Sequence, residues 1–480
     1  MTDLQPHNLW NYFHQITQVP RPSKKEEQIA AYLRDFAGRH QLPVTTDKAG
    51  NILITKPATP GYENHPTVIL QAHIDMVCEK NVDTKHDFEK DSIQTYIDGD
   101  WVKARGTTLG ADNGIGMAMM LAVLDAADLQ HPALECLFTV DEETGLTGAY
   151  GLDSKLLSGS VLINLDSEDD GEIFIGCAGG IGTKAILPYR QETTPSGYFG
   201  FKVKVSGLKG GHSGGDIHLG LANAIKILNR YLWQLNKQMD LRLISLEGGN
   251  LHNAIPREAN AFCAVPYSEK ETIRVILNMY IATIEAEFKD IETNFHMSLE
   301  SDSLPETVIE KSASDRLLQT LYACPHGVIA MSRTISGLVE TSTNLASVKM
   351  TANREFEINT SQRSSSESAK TDIAAQLNAV FELAGATVIQ SDGYPGWQPN
   401  VDSALLAKTV TAYNHLFGEE PKVKAIHAGL ECGLFLEKYP HLDMVSIGPQ
   451  MYGVHSPDER LSISSTQKTW KWLSEALKLC

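Results

Sequence analysis

The stretch LECLFTVDE, Leu134–Glu142, is followed by Glu143 and a turn broken by glycine, TGLTG (144–148). An apolar run of strand length ends in three consecutive carboxylates, Asp141, Glu142 and Glu143. Such a run reads as a strand buried on both faces, which belongs in a sheet covered by helices. Three like charges at the mouth of a buried strand repel one another unless something cationic is held there.

The same pattern recurs on either side. TVILQAHID (Thr67–Asp75) and SVLINLDSE (Ser160–Glu168) are also strand-like, and IGMAMMLAVLDAAD (115–128) forms a helix between the first two strands. Upstream, LWNYFHQI and KKEEQIAAYLRDFAGRH have helical periodicity, with Pro20 and Pro22 between them. The spacing predicts an α/β layer with a covered mixed sheet.

From about Pro188 the pattern changes. YFGFKVKVSGL (198–208) alternates with a period of two, and a helix is expected from about Leu219 to Leu235. LRLISLEGGN and EANAFCAV read as a hairpin. A second round follows at NLASVKM, REFEINTSQRS, a helix near Thr371–Leu383, and ATVIQS. The expectation is an inserted α+β domain of two similar halves, left through the loop DGYPGWQPN (392–400). Buried-type pattern then resumes with the helix ALLAKTVTAYNHLF, the strand DMVSIG and a final helix. Residues 1–187 and 393–480 are thus expected to build one α/β domain, and 188–392 the insert. A chain of 480 residues is long enough for both.

Composition narrows the function. The chain is 42% apolar and 21% charged, with a formal charge of −18 and no Lys/Arg cluster, which argues against nucleic acid as a partner. No apolar run approaches the ~18 residues of a membrane span, and the first residues resemble neither a basic leader nor a signal core. Seven cysteines (78, 136, 177, 263, 324, 432 and 480) are scattered and never spaced C-x-x-C. They read as free thiols of a cytoplasmic protein.

Each strand-like run carries ligand-type residues at its C-terminal end: His73 and Asp75, Glu142 and Glu143, Asp166, and His455 after DMVSIG. Asp112 lies at the entry to the first helix, in GADNG. Singly these have plainer readings, as a helix cap, turn formers or a loop histidine. Together they converge on the rim where open α/β sheets hold their sites. A metal cation neutralises them, and nitrogen and oxygen ligands without thiolate suit zinc, with cobalt or manganese as substitutes.

Charge counting predicts two ions, because Asp112, Glu143 and Asp166 with one hydroxide balance two divalent cations. One ion takes His73 and Asp166, the other Glu143 and His455, and Asp112 bridges them. Asp75 reaches the other nitrogen of His73, and Glu142 is left as the general base. Asp141 is expected to be structural. DSEDDGEIFIGC fails as a calcium loop, with Glu168 third and Cys177 twelfth, and no H-E-x-x-H occurs.

The motifs HIDMV, GADNGIGMA, DEETGLTGAYGL, NLDSE, GCAGGIG, KGGHSGGDIHLG, NAIPRE, YPGWQP, HAGLECG and SIGPQMYGVHSPDE run along essentially the whole chain. In that order they resemble the aminoacyl-histidine dipeptidases (peptidase D, of bacterial carnosinase type), in the co-catalytic zinc peptidase clan. The resemblance implies a zinc-peptidase-like catalytic domain with the same ligands and base, and makes the insert a lid. It implies that His212 stabilises the oxyanion, and that Asn253 and Arg363 hold the substrate's terminal carboxylate. The chemistry is compatible, since a glycine-flanked histidine can approach a ligand closely and arginine grips a carboxylate bidentately. It implies hydrolysis of unblocked dipeptides, Xaa-His above all and β-alanyl-histidine included, and a homodimer is expected. A deacylase of N-acyl amino acids is the alternative within the clan, and a non-catalytic peptide binder the more distant one. Glu431 and Cys432 receive no role.

Overall fold

The computed structural model describes Met1 and residues 3–480 and resolves two compact units. The first comprises Met1–Cys177, Trp397–Ala425 and Leu430–Cys480. Its sheet has eight strands, in the order 44–46, 52–56, 134–139, 68–73, 161–164, 443–446, 172–177 and 422–426. Strands 134–139, 68–73, 161–164 and 443–446 run parallel to one another, and the flanking pairs are antiparallel, so the sheet is mixed. Every residue of Val68–His73 and Leu134–Thr139 is buried, the mark of strands covered on both faces. Helix Ala111–Asp125 packs on the His73 strand and on helix His7–Thr17, and helix Ala404–Phe417 on strand 443–446 and helix Ile463–Leu479. This is the covered α/β architecture that the apolar runs predicted.

The second unit comprises Ala178–Gly396 and Ile426–Gly429. It is built on a nine-stranded sheet, with a core formed by residues such as Phe201, Tyr231, Phe356 and Phe381. The two rounds of strands read from the sequence are parts of this single sheet. Strands 296–302, 198–206, 259–266 and 242–248 form one part, and strands 339–350, 355–364, 179–188 and 387–390 the other, with strand 327–331 paired to 339–350. The parts meet at one register pair, Gly248↔Val348.

Three expectations shift for local reasons. The changeover expected at Pro188 falls at Cys177/Ala178, because strand Gly179–Pro188 pairs along its whole length with Glu355–Ser364. The return expected at 393 falls at Trp397, and Ile426–Gly429 groups with the second unit rather than the first, His427 bonding to Ser342 there. The helix expected from Leu219 starts at Ala224: Gly220 has φ +67°, and the Asn223 side chain caps by accepting from the amides of Ile225 and Lys226.

Candidate metal centre

The site in the first unit is assembled at the C-terminal ends of parallel strands. His73 ends strand 68–73, Asp166 lies two residues beyond strand 161–164, and the loop after strand 134–139 carries Glu142 and Glu143. Asp112 does not act as the helix cap. Gly110 occupies that position, and the backbone at Asp112 (φ −80°, ψ 113°) and Asn113 is not yet helical. The Asp112–Asn113 peptide is cis.

Asp112 offers its carboxylate to two imidazoles. Its Oδ1 is 2.9 Å from His73 Nε2, and its Oδ2 is 3.1 Å from His455 Nε2. Asp166 Oδ1 lies 3.5 Å from His73 Nε2, and Glu143 Oε2 lies 3.0 Å from His455 Nε2. The result is two triplets of nitrogen and oxygen donors, His73/Asp112/Asp166 and Asp112/Glu143/His455, sharing Asp112.

Electrostatics show what such a cluster lacks. Hydrogen bonds to Asp112 and Glu143 hold the His455 imidazolium up to about 11. Burial works against a charge on His73, but Asp166, Asp112 and Asp75 outweigh it and raise its pKa well above the usual value. Burial, with Asp112 and Glu143, pushes Asp166 up to about 6 against the pull of His73. Burial raises Glu142 most, helped by Asp166, Glu431 and Glu143 and opposed by His73. Without a cation, protons on the imidazoles do the neutralising. Glu143 Oε1 is buried with no donor among the described residues, an oxygen placed for a cation rather than for a hydrogen bond. Arg21, 2% exposed, donates its hydrogen bonds to the carbonyls of Ile74, Asp75 and Gly110 rather than to these carboxylates. The donor set fits divalent cations.

The three successive carboxylates part company. Asp141, at φ +49°, accepts from the hydroxyls of Thr144 and Thr147, and its amide donates to Glu26, so it shapes the turn. Glu143 faces His455. Glu142 is half-buried and lies close to His73 and Glu143. Asp75 lies with Oδ1 3.2 Å from His73 Nδ1 and accepts from the amides of Glu142 (3.0 Å) and Glu143 (3.2 Å) and from Ser23 Oγ (2.7 Å).

His212, Asn253 and Arg363 all belong to the second unit. His212 is exposed, and its Nδ1 accepts from the amides of Gly214 (3.3 Å) and Gly215 (3.0 Å), which leaves the proton on Nε2. Partial burial and the Arg363 guanidinium lower its pKa, so it is neutral near pH 7. The Asn253 carbonyl accepts from the Ser213 amide, 2.8 Å, which holds the two loops together. Arg363 donates to Tyr394 Oη, 2.7 Å, and its buried Nε has no acceptor among the described residues. A Cβ on Gly214 would lie 2.3 Å from the His427 carbonyl and 3.1 Å from both Arg363 Nε and His212 Cε1, so only glycine fits between them. His427 is a neighbour the sequence did not single out, as are Arg21 and Glu459. The Glu459 carboxylate accepts from the amides of Leu109, Gly110 and Ala111 at 2.7–3.0 Å and so holds the loop that presents Asp112. The motif HSPDE contained Glu459, but nothing local marks its partners.

The cytosol non-specific dipeptidase of Escherichia coli (strain K12) is 47% identical over 478 residues, covering 100% of this chain and 98% of the relative. The crystal structure of aminoacylhistidine dipeptidase from Vibrio alginolyticus is 44% identical with a TM-score of 0.93, covering 99% of this chain and 97% of that one. Aminopeptidase PepT from Bacillus cereus, 16% identical with a TM-score of 0.62, shares the fold. Peptidase family M20/M25/M40 matches over residues 69–479, and the chain belongs to that family.

Proposed function

We propose that this chain is a cytoplasmic dipeptidase that hydrolyses unblocked dipeptides, with preference for Xaa-His and with β-alanyl-histidine among its substrates. The observation that carries the reading is the pair of donor triplets sharing Asp112, with the Glu142 carboxylate beside them, close to His73 and Glu143. The full-length relatives named as dipeptidases support the substrate class. Two zinc ions, replaceable by cobalt or manganese, are assigned to His73, Asp112, Glu143, Asp166 and His455. When bound, such ions lower the pKa of a shared water and polarise the peptide carbonyl.

The remaining chemistry belongs to side chains. Glu142, raised by burial, takes the proton of the attacking water and delivers it to the leaving amine. Asp75 fixes the His73 ring and the amides of Glu142 and Glu143. His212 donates Nε2–H to the carbonyl oxygen as charge develops there. Asn253 and Arg363 hold the terminal carboxylate, a role the unpaired Arg363 Nε suits. A homodimer is the proposed assembly.

Glu142→Ala tests the assignment. It should keep its cations and lose on the order of 10²–10⁴ in turnover. Near wild-type turnover in that variant would refute the role of Glu142. A panel of Xaa-His, other dipeptides and N-acetylated dipeptides, run before and after chelation, tests the substrate class. Preference for the acetylated forms would make the protein a deacylase instead.

A further inference from the structure

One level below the ligands, the sheet of the first unit carries polar side chains where apolar ones would be expected. Gln71, Asn164 and Ser446 are register partners on three adjacent strands, each fully buried. Thr139, equally buried, is the register partner of His73. Gln71 lies two residues before His73 on the same strand face, and Asn164 two residues before Asp166. The row therefore underlies two of the three donors of the His73 triplet, His73 and Asp166.

Its hydrogen bonds run in one direction. The Ser446 hydroxyl donates to Asn164 Oδ1, and Asn164 Nδ2 donates to Gln71 Oε1. Gln71 Nε2 donates to Glu431 Oε2 at 2.6 Å, and Thr139 Oγ1 donates to the same oxygen at 2.9 Å. The row thus ends on Glu431, the first residue of helix Glu431–Lys438, which is 1% exposed. Its other oxygen, Oε1, is buried and receives no hydrogen bond among the described residues. Glu431 makes no hydrogen bond or ion pair to His73, Asp112, Glu143, Asp166 or His455.

A buried carboxylate with one unpaired oxygen is costly. A glutamine of the same shape would accept from Gln71 and Thr139 equally well, so hydrogen bonding does not explain the acid. Charge is what remains. Burial pushes the Glu431 carboxyl up to about 8, so without a cation it holds a proton near pH 7; His73 pulls against this, Asp166 adds to it, and Glu431 is felt in turn at Glu142.

We propose that Glu431 is a buried counter-charge of the metal centre: held by Gln71 and Thr139 and touching none of the ligands, it strengthens the hold of the site on divalent cations. The inference rests on the assignment of the five ligands above. It makes Glu431 a positioning and electrostatic residue rather than a catalytic one.

The test uses full-length wild type and Glu431→Gln, stripped of metal and titrated with Zn²⁺ against a competing chelator, with thermal melting measured in the absence of cation. Glu431→Gln should melt no lower than the cation-free wild type, because without a cation Glu431 is protonated and a neutral amide of the same shape keeps its donors. It should bind Zn²⁺ on the order of tenfold or more weakly, the scale seen for groups behind a metal's ligands. Equal Zn²⁺ affinity in the two proteins would overturn the inference, as would a lower melting temperature for cation-free Glu431→Gln, which would make the residue structural. Failure of the wild type to bind Zn²⁺ would instead bring down the ligand assignment itself, and this inference with it.

Discussion

Asp75 shows how much one side chain at this rim must coordinate. Burial raises its carboxyl, but the bonds with His73, Ser23 and the Glu142 amide win and hold it down at about 2. One carboxylate thereby steadies a ligand's ring and the loop bearing Glu142 and Glu143. Asp75→Ala should lose about 10–100-fold in cation affinity, measured by competition with a chelator, together with turnover. The cluster also dictates a pH dependence. A cation needs Asp166 ionised and both imidazoles neutral, whereas without one Asp166 titrates near 6 and His455 near 11. Protons therefore compete with cations: affinity should rise with pH through the neutral range and fall steeply below about 6. Metal content after dialysis at stepped pH checks this, and cation binding near pH 7 should release protons. The spacing of His73 and Asp75 made their partnership legible in the sequence. Glu431, 360 residues from Gln71, and Glu459, 348 from Ala111, find their partners only through the fold.

At the scale of elements, close approach matters more than propensity. Helix Ala111–Asp125 has Gly116 against the next strand's exit, where an added Cβ would lie 2.2 Å from Asn113 Oδ1 and 2.6 Å from the Leu165 carbonyl. Gly116→Ala should cost about 1–3 kcal/mol by overpacking, read as a lower melting temperature. It should also weaken cation binding, since Asn113 donates to Asp166 and Leu165 precedes it. Strongly patterned elements were readable: ALLAKTVTAYNHLF is helix Ala404–Phe417 without adjustment. Helix Lys270–Glu287 was not anticipated. Its buried stripe of Ile273, Leu277, Tyr280 and Ile284 has helical spacing, but exposed Val275 and Met279 blur it.

Across the whole molecule, the candidate ligands come from residues 73 to 455 yet all fall within the first unit. A cation bound there would tie together strand ends that are distant in the chain, adding about 4 kcal/mol at a thousandfold excess over the dissociation constant. Hydrogen exchange with and without chelator should therefore change around His73, Asp112, Glu143, Asp166 and His455 and leave the nine-stranded sheet of the second unit unaltered. Changes of equal size in both units would contradict this. Local information in the chain determined the buried strands, most helices and the chemical class of the site, because apolar periodicity and the residues ending each strand are properties of short segments. Tertiary structure alone decided that Glu459 holds the loop presenting Asp112, that Ile426–Gly429 joins the second unit, and that a polar row beneath the ligands ends on Glu431. Each of these depends on hydrogen bonds and packing between segments tens to hundreds of residues apart, and no short stretch of sequence contains both partners.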